Sequence, residues 1–313
     1  MALWLGLAIA LIALLLLELG LRQILGLGCP LLYQADAEIG YLLAPNQQTR
    51  RLGKRIAINE YSMRSPSITA SRPAATQRLL LVGDSVANGS WWTDQQATIS
   101  AQIQTQLAVN GQAVEVLNAS ANSWCPRNEV AYLRRFGTFD AQAIALLINT
   151  DDLFGTAPTS IQVGVDRNYP DRRPPLALVE AYQRYVAKAP DVPGFAAVLA
   201  ERGDRVGFNL QAIAEIQQIA QQAGAKVLLA MTPLLRELGD PGPRDYEVKA
   251  RQRLQAFTEA QSLPYLDFLP LFLQDTEPAR FFRDRIHLND AGNERVATAL
   301  AQWLQRAIAT HDG

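Results

Sequence analysis

A serine in this chain stands where an enzyme nucleophile is commonly presented. Residues 79–82 are an apolar run typical of a buried strand, and Gly83, Asp84 and Ser85 follow it directly. A serine hydroxyl is a weak nucleophile at neutral pH, so it needs a general base within hydrogen-bond reach and a group that orients that base. The position of Ser85 therefore indicates chemistry only if such partners exist elsewhere in the chain.

Two histidines are available as the base. His311 lies two residues from the C-terminus, where we expect the chain to fray, which leaves His287 as the candidate. Asp284 precedes His287 by three residues, a spacing that lets a carboxylate and an imidazole face the same way across one turn. Taken singly, Ser85 is compatible with a turn residue and Asp284 with a surface carboxylate. Together the three residues favour a Ser–His–Asp catalytic set.

The sequence offers little to a metal ion or a nucleotide. No second internal imidazole or paired cysteine is placed to complete a metal shell around His287. The carboxylates of Asp84, Asp151, Asp152 and Asp284 could bind a hard cation through oxygen, but nothing else supports that interpretation. A phosphate loop of the G-x-x-x-x-G-K type is missing from the sequence. We therefore expect neither a metal nor a cofactor.

Short apolar runs alternate with longer helical patterns from residue 78 onward. Strands are predicted at residues 79–82, 114–117, 143–148, 226–231 and 265–268, and helices at 95–109, 128–136, 207–223, 246–262 and 291–309. This alternation is typical of an α/β fold, a parallel sheet with helices on both faces. In such sheets ligands bind at the carboxyl ends of the strands. Polar residues follow three of the predicted strands, at 83–85, 118–123 and 149–152, so we expect them to share one edge.

Two segments depart from the alternation. Residues 29–76 are rich in turn-forming residues and predict a stalk with a partly ordered lead-in. Residues 153–206 are rich in proline and arginine and are longer than an ordinary connection. We interpret this insertion either as a lid over the functional edge or as a surface excursion with no catalytic role.

The first 28 residues are predominantly apolar and long enough to span a bilayer. Glu18 and Arg22 stand four residues apart on one helical face, so they can pair near a membrane interface. The segment lacks the basic start and small-x-small exit of a cleaved signal peptide, which favours an uncleaved single-pass anchor. Basic residues after the span favour a cytoplasmic domain when taken alone. Large domains translocate largely regardless of such charges, so the residues leave the orientation open.

Composition narrows the class of protein further. The 313 residues fit one α/β domain plus an anchor, with 49% hydrophobic and 19% charged residues. A net charge of −1 gives no basic excess to attract DNA or RNA, so we expect no nucleic-acid partner. Cys29 and Cys125 are too few for a disulfide framework. Cys125 is expected to be a small buried group and Cys29 a membrane-proximal thiol; Gly26, three before Cys29, disfavours a lipoprotein signal.

The residues around Ser85 and His287 carry a resemblance to a known family. Val-Gly-Asp-Ser at 82–85 resembles the first block, and Asp-Arg-Ile-His at 284–287 the fifth block, of the SGNH (GDSL-type) hydrolases. The strand pattern between them also matches, over roughly residues 78–304, and residues 38–46 and 58–64 resemble the lead-in of membrane-anchored bacterial members. The resemblance implies a three-layer flavodoxin-like fold with about five parallel strands. It would occupy residues 77–313, behind a lead-in at 29–76 and a transmembrane helix at 1–28.

The resemblance also implies roles for particular residues. Ser85 would be the nucleophile, His287 the general base and Asp284 its orienting partner. The family builds its oxyanion hole from the backbone N–H of the nucleophile, a glycine N–H of the second block and an asparagine side chain of the third. Ser120 and Asp151 stand at the last two positions in this chain.

These two departures matter unequally. Ser120 keeps a backbone N–H and loses only the conformational freedom of glycine. An ionised Asp151 would repel the oxyanion that a donor should stabilise. A buried and protonated Asp151, or an inward-turned Asn149 or Asn122, are the alternatives, and Asp151 and Asp152 could instead cap the following segment.

The function that the resemblance implies is a membrane-anchored serine esterase or O-acyltransferase. Its substrate would be an O-acylated small molecule, glycan, cell-envelope component or lipid, attacked through an acyl-serine intermediate, with the globular domain on the periplasmic side. The alternative is a catalytically silent domain of the same fold that binds a glycan or supports a membrane partner, for which Asp151 is the main argument. The sequence identifies no particular protein partner.

Overall fold

The computed structural model describes residues 1–108 and 113–309, within which nine strands and ten α-helices form. The strands are β1 Tyr33–Asp36, β2 Gly40–Leu43, β3 Gln47–Arg51, β4 Lys54–Ile58, β5 Thr76–Gly83, β6 Ala113–Ser120, β7 Ala143–Asn149, β8 Lys226–Thr232 and β9 Tyr265–Asp267. The α-helices are α1 Ala2–Gly20, α2 Ser85–Asn88, α3 Ile99–Leu107, α4 Pro126–Phe136, α5 Ala177–Tyr185, α6 Phe195–Leu199, α7 Arg205–Gln222, α8 Asp245–Ala260, α9 Phe268–Leu273 and α10 Asp290–Ala309. Each strand and helix predicted from the alternation is present within a few residues of its expected bounds. The predicted helix end at Val109 and the residue His311 lie outside the described residues.

Five parallel strands form the central sheet in the order β6-β5-β7-β8-β9. Leu80 and Val82 of β5 belong to the core on one face of the sheet, and Leu79 and Leu81 belong to the core on the other. All four are almost fully buried, as a central parallel strand covered on both faces requires. Helices α4 and α7 pack together on one side, and α3 and α10 on the other. The predicted three-layer α/β fold is confirmed.

Residues 29–76 differ from the expected stalk, because they fold as two antiparallel hairpins, β1–β2 and β3–β4. Tyr33, Tyr41, Ile56 and Ile58 of these hairpins are buried in the same core as one face of the central sheet. The turn-forming residues that suggest a spacer lie between the two hairpins, at 44–46, and after the second hairpin, at 59–75. The Leu52–Gly53 turn, with φ of 47° and 79°, is a two-residue connection in which both residues take the left-handed conformation.

The N-terminal helix continues beyond α1 through a π-helical turn at Leu21–Leu25. Ala2–Leu25 is long and apolar enough to cross a membrane, and none of its most apolar stretch is buried against the rest of the protein. The insertion at residues 153–206 contains α5 and α6 and packs beside the end of this helix. Tyr169 of the insertion packs against Tyr33 and Tyr41 of the first hairpin, with ring centroids 5.0 and 5.2 Å apart.

Candidate active site

Three side chains from distant parts of the sequence meet at the carboxyl end of β5. The Nε2 atom of His287 lies 2.9 Å from Oγ of Ser85. Its Nδ1 atom lies 2.8 Å from Oδ2 and 3.0 Å from Oδ1 of Asp284. With Nδ1 protonated toward Asp284, Nε2 accepts the hydroxyl proton of Ser85. The geometry is that of a nucleophile hydrogen-bonded to a base, which is hydrogen-bonded in turn to an orienting carboxylate.

The turn that presents Ser85 depends on a glycine and a capping aspartate. A Cβ atom at Gly83 would lie 2.3 Å from the carbonyl oxygen of Leu147 on β7 and 2.9 Å from Cβ of Ala87 on α2. Only glycine therefore fits between these elements. Asp84 caps α2 by accepting a 2.8 Å hydrogen bond from the backbone N–H of Val86. These contacts fix Ser85 at the first position of α2.

The carboxylate of Asp284 holds both the imidazole and the backbone that carries it. Its Oδ1 accepts the backbone N–H groups of Ile286 and His287 at 3.0 and 2.9 Å. Partial burial raises the pKa of Asp284, but the hydrogen bonds from the two N–H groups and the imidazole outweigh it and hold that pKa below its usual value. Asp284 is therefore ionised at neutral pH and can stabilise a positive charge on His287.

Asp84 offers the Ser85 hydroxyl a second acceptor. Oδ2 of Asp84 lies 3.2 Å from Oγ of Ser85 and also accepts a 2.7 Å hydrogen bond from the Asn149 amide. A hydroxyl has one proton, so it donates either to Asp84 or to His287. The contact with His287 is shorter, at 2.9 Å. Burial also raises the pKa of Asp84.

Two further carboxyl groups lie buried near Asp84. Burial raises the pKa of Glu129 well above its usual value, and the charge of Asp84 adds to that effect. The pKa of Asp152 is also raised well above its usual value, first by burial and then by the charges of Asp84 and Glu129. Within the described part of the chain, neither carboxyl oxygen of Glu129 has a hydrogen-bond partner. Because buried like charges repel, these three groups cannot all be ionised together without a large cost.

We expect Glu129→Gln to raise the Tm by several degrees near pH 8 and to change it little near pH 4. The folded pKa of Glu129 lies above the unfolded value, so the wild type loses stability as pH rises from the unfolded toward the folded pKa. The neutral amide escapes that loss. A gain of about 1 kcal/mol moves the Tm of a domain of this size by about 2–4 °C. Thermal unfolding followed by circular dichroism over this pH range measures the difference.

The matched control is Glu294→Gln, because Glu294 is exposed on α10. It should leave the pH dependence of the Tm as in the wild type. A Glu129→Gln variant whose Tm near pH 8 equals or falls below that of the wild type would contradict this prediction.

Ser120, one of the expected oxyanion donors, ends β6 and is buried. Its hydroxyl donates to Oδ1 of Asn118 and accepts from the Asn88 amide at 3.2 Å. The same amide donates to the carbonyl oxygen of Ser120 at 3.0 Å. The side chain is thus held in a buried polar network, and Ser120 can offer an oxyanion only its backbone N–H.

Asp151 differs from the buried, protonated donor considered among the alternatives, because its side chain is exposed. Its backbone N–H donates to Oδ1 of Asn149 at 2.7 Å. Asn149 is buried and its amide is committed to Asp84, so it is not free to turn toward an oxyanion. The capping role falls to Asn149 together with Asp152, whose Oδ2 accepts the backbone N–H of Asn149 at 2.7 Å.

Asn122 is the remaining amide among the alternatives. Its Oδ1 accepts the hydroxyl of Ser90 at 2.5 Å, and its carbonyl oxygen accepts the hydroxyl of Tyr41 at 2.5 Å. These bonds fix the side chain through its oxygen and leave its NH₂ group uncommitted among the described residues. Asn122 lines a cavity of about 150 Å³ together with Trp91 and Trp92.

Sequence reasoning does not identify the two tryptophans of this cavity. The Trp92 ring contacts the His287 ring edge to face, with centroids 4.5 Å apart. The guanidinium of Arg283 lies 4.9 Å from the Trp92 ring and 5.4 Å from the Trp91 ring. Large aromatic residues six and seven positions after a candidate nucleophile are the signal that could have found them. They form one wall of the space beside the imidazole.

A buried arginine holds the loop that carries these tryptophans. The Arg64 guanidinium donates to the carbonyl oxygens of Asn88 at 2.6 Å and Thr93 at 2.5 Å, and also to that of Ser90. The far wall of the cavity includes Cys29, which follows the apolar helix. The cavity therefore extends from Trp92, whose ring contacts His287, toward the residues that follow that helix.

The described residues around Ser85 do not form a metal site. In residues 1–108 and 113–309, no group of three or more His, Cys, Asp or Glu side chains is placed to hold a metal ion. Cys125 is buried, as expected, and burial raises the pKa of its thiol to about 12.

Several solved structures are similar to this chain at low identity. A catalytic mutant of Axe2, an acetylxylan esterase from Geobacillus stearothermophilus, is 14% identical with a TM-score of 0.48, covering 74% of this chain and 94% of its own. A lipase/acylhydrolase from Enterococcus faecalis is 12% identical with a TM-score of 0.45, covering 73% and 95%. A search of curated protein sequences finds no match.

A family model matches a much longer stretch than the two motifs alone. The GDSL-like lipase/acylhydrolase model matches residues 81–295, more than half of the chain. The match begins in β5 just before Ser85 and ends in α10 just after His287. It thus includes the sheet, the serine turn and the Asp–His turn. The chain belongs to the GDSL-like lipase/acylhydrolase family.

Proposed function

We propose that this protein is a membrane-anchored serine ester hydrolase that removes O-acyl groups through an acyl intermediate on Ser85. The observation that carries the proposal is the continuous contact from Ser85 Oγ to His287 Nε2, at 2.9 Å, and from His287 Nδ1 to Asp284, at 2.8 Å. Family membership supports the reaction class, the cleavage of an acyl ester. Acyl transfer shares the first half of this reaction and differs only in the acceptor.

The proposed reaction has two halves. Ser85 Oγ attacks the ester carbonyl carbon while His287 Nε2 takes the hydroxyl proton, and ionised Asp284 stabilises the resulting imidazolium. The tetrahedral intermediate then expels the alkoxide, which receives the proton from His287. Water, or an acceptor hydroxyl in a transfer reaction, attacks the acyl-Ser85 ester with His287 again as base. The backbone N–H groups of Ser85 and Ser120 and the Asn122 amide are the proposed oxyanion donors.

Intact-mass spectrometry tests the acyl intermediate directly. The full-length protein, quenched in acid during turnover of p-nitrophenyl acetate, should gain the mass of one acetyl group, and peptide mapping should place it on Ser85. Turnover in the presence of a sugar alcohol distinguishes transfer from hydrolysis, since transfer yields an acetylated acceptor. Turnover with no acyl adduct on Ser85, even when sampling is fast, would contradict the proposal.

For the substrate, we propose an O-acylated glycan of the cell envelope. The cavity lined by Trp92, whose ring contacts His287, combines the indole rings of Trp91 and Trp92 with the polar side chains of Asn122, Arg51 and Arg184. Aromatic faces with a few polar groups suit a sugar ring, which has apolar faces and hydroxyl edges. The proximity of Trp92 to His287 would place such a ring next to the ester that Ser85 attacks.

We expect Trp92→Ala to raise KM for an acetylated oligosaccharide about tenfold, because a lost ring contact of about 1–1.5 kcal/mol corresponds to about that factor. The value of kcat/KM for p-nitrophenyl acetate should change only a few-fold, since this ester has no sugar to place. Steady-state kinetics on both substrates measures the split. Trp92→Phe, the matched control, retains a ring and should recover most of the lost affinity.

If Trp92→Ala lowered both activities equally, the ring would act by supporting His287 and not by binding a sugar. The same kinetic comparison therefore separates a contact with the glycan from a contact with the base.

The proposed location is a single-pass anchor with the hydrolase domain on the periplasmic side. Ala2–Leu25 supplies a helix of sufficient length and apolar character. The side of the membrane is proposed from the cell-envelope substrate. Protease digestion of spheroplasts checks it: the domain should be cleaved without lysis, whereas protection until lysis would place it in the cytoplasm.

A further inference from the structure

The insertion helix α5 is fastened to the last turns of the apolar N-terminal helix. The Glu18 carboxylate accepts the backbone N–H groups of Ala177 and Leu178 at 2.8 and 2.9 Å, where α5 begins. Arg22 pairs with Glu18 at 2.6 Å and donates to the carbonyl oxygen of Pro175 at 3.2 Å. With a rise of 1.5 Å per residue, Glu18 lies about 10 Å before the end of the helix at Leu25. The uninterrupted apolar run, residues 2–17, ends just before Glu18, so the start of α5 is level with the end of that run.

A second contact fixes how α5 is turned. Glu180 is buried and accepts the backbone N–H of Gly28 at 2.6 Å, directly after the apolar helix. It also pairs with Arg51 of β3 and, at 2.7 Å, with Arg184 of its own helix. The face of α5 that contains Glu180 is thus directed toward the protein.

The other side of α5 exposes large apolar side chains. Tyr182, Tyr185 and Val186 are 60%, 73% and 72% exposed, and Leu176 just before the helix is 45% exposed. Tyr182, Tyr185 and Val186 lie three and four residues apart, so they share one helical side. We call these four residues the α5 face. The N-terminal helix, whose last turns contact α5, also exposes its apolar side chains.

Basic residues lie on either side of the α5 face in the sequence. Arg172 and Arg173 precede it and Lys188 follows it. All three are exposed, line a cavity of about 440 Å³ on the Glu180 side of α5, and form no ion pair in the described structure. Asp171 and Asp191 are the exposed acidic residues nearest to them in the sequence. Tyrosine together with unpaired arginine and lysine is the composition that suits the headgroup layer of a membrane with anionic lipids.

We propose that the α5 face lies in the anionic headgroup layer of the same bilayer that the N-terminal helix crosses. Tyr182, Tyr185 and Val186 would enter the layer, and Arg172 and Arg173 would bind lipid phosphates. The proposal rests on the membrane anchoring proposed above. Arg184, on the Glu180 side of the same helix, lines the cavity beside Trp92, so α5 would lie between that cavity and the membrane.

Spin labelling of the full-length protein in vesicles tests this placement. Single nitroxides are attached at Tyr185→Cys on the α5 face, Leu15→Cys in α1 and Gln255→Cys on exposed α8, each with Cys29→Ser. The vesicles contain phosphatidylcholine with or without one quarter phosphatidylglycerol. Collisions with oxygen, which concentrates in lipid, and with a nickel chelate, which stays in water, report the depth of each label.

We expect the label at 185 to lie at the depth of the headgroups and the label at 15 to lie in the hydrocarbon core. The label at 255 should be in water. Adding Arg172→Glu and Arg173→Glu should raise nickel accessibility at 185 several-fold in the phosphatidylglycerol vesicles and little in pure phosphatidylcholine. A label at 185 as accessible to nickel as that at 255, with the label at 15 still in hydrocarbon, would overturn the inference and leave the anchor intact. A label at 15 in water would instead reject the anchoring itself.

A second copy of the chain is the other occupant that the experiment detects. It would shield the label at 185 from both reagents and broaden its spectrum by label–label coupling in proportion to protein density in the membrane. That outcome would contradict the lipid placement.

Discussion

Ser85→Ala is expected to lower kcat/KM for p-nitrophenyl acetate by about 10⁴–10⁶-fold, the range seen when a triad nucleophile is removed. The hydroxyl is the atom that His287 Nε2 contacts at 2.9 Å, and alanine leaves the base with nothing to activate. The fold should survive, because the lost contacts are confined to His287 and Asp84. Steady-state kinetics measures the loss of activity. Thermal unfolding checks the fold, and the Tm should stay within a few degrees of that of the wild type.

A fluorophosphonate probe extends the same prediction to the state of the hydroxyl. The folded wild type should be labelled at Ser85 between about pH 5 and 9, and Ser85→Ala should not be labelled. Ser123→Ala is the matched control, since Ser123 is an exposed serine near the same edge, hydrogen-bonded to Tyr169 at 2.9 Å. It should keep labelling and activity within a few-fold. A wild type that is never labelled would favour the silent, glycan-binding domain.

Much of the fold follows from local features of the sequence. Strand β5 can be predicted from the sequence because residues 79–82 are apolar on both faces. The serine turn can be predicted because Gly83 and Asp84 follow the strand directly. The Asp284–His287 pair is also local, since both partners lie on one turn. Joining that turn to Ser85 requires the whole parallel sheet, which alternation predicts in outline.

The features missed from sequence depend on long-range packing. The strands of the two N-terminal hairpins are only four or five residues long, and Tyr33 and Tyr41 of the first hairpin pack against Tyr169 of the insertion, far away in the sequence. Trp92 gains its position from Arg64, whose hydrogen bonds to loop carbonyls no local pattern reveals. Whether the insertion acts as a lid stays a prediction.

The oxyanion hole supplies the second large effect: we expect Asn122→Ala to lower kcat about 10²–10³-fold with little change in KM, as the loss of one donor typically does. Asn122 is held through its oxygen by Ser90, and its NH₂ group stands uncommitted in the cavity beside Trp92. Asp151→Asn should change kcat only a few-fold, because Asp151 is exposed and contributes its backbone N–H to Asn149. Steady-state kinetics with p-nitrophenyl acetate compares the variants.

Ser90→Ala separates the donor from its support. It removes the 2.5 Å hydrogen bond to Asn122 but keeps the amide, so we expect a loss smaller than that of Asn122→Ala. Equal losses in the two variants would mean that Asn122 acts by holding the loop that carries Trp91. If instead Asp151→Asn raised kcat tenfold or more while Asn122→Ala had no effect, the third-block position would be the true donor site, and its carboxylate would be holding the enzyme below its attainable rate. Activity therefore depends on which side chain faces the oxyanion, since the contact between Ser85 and His287 is the same in either case.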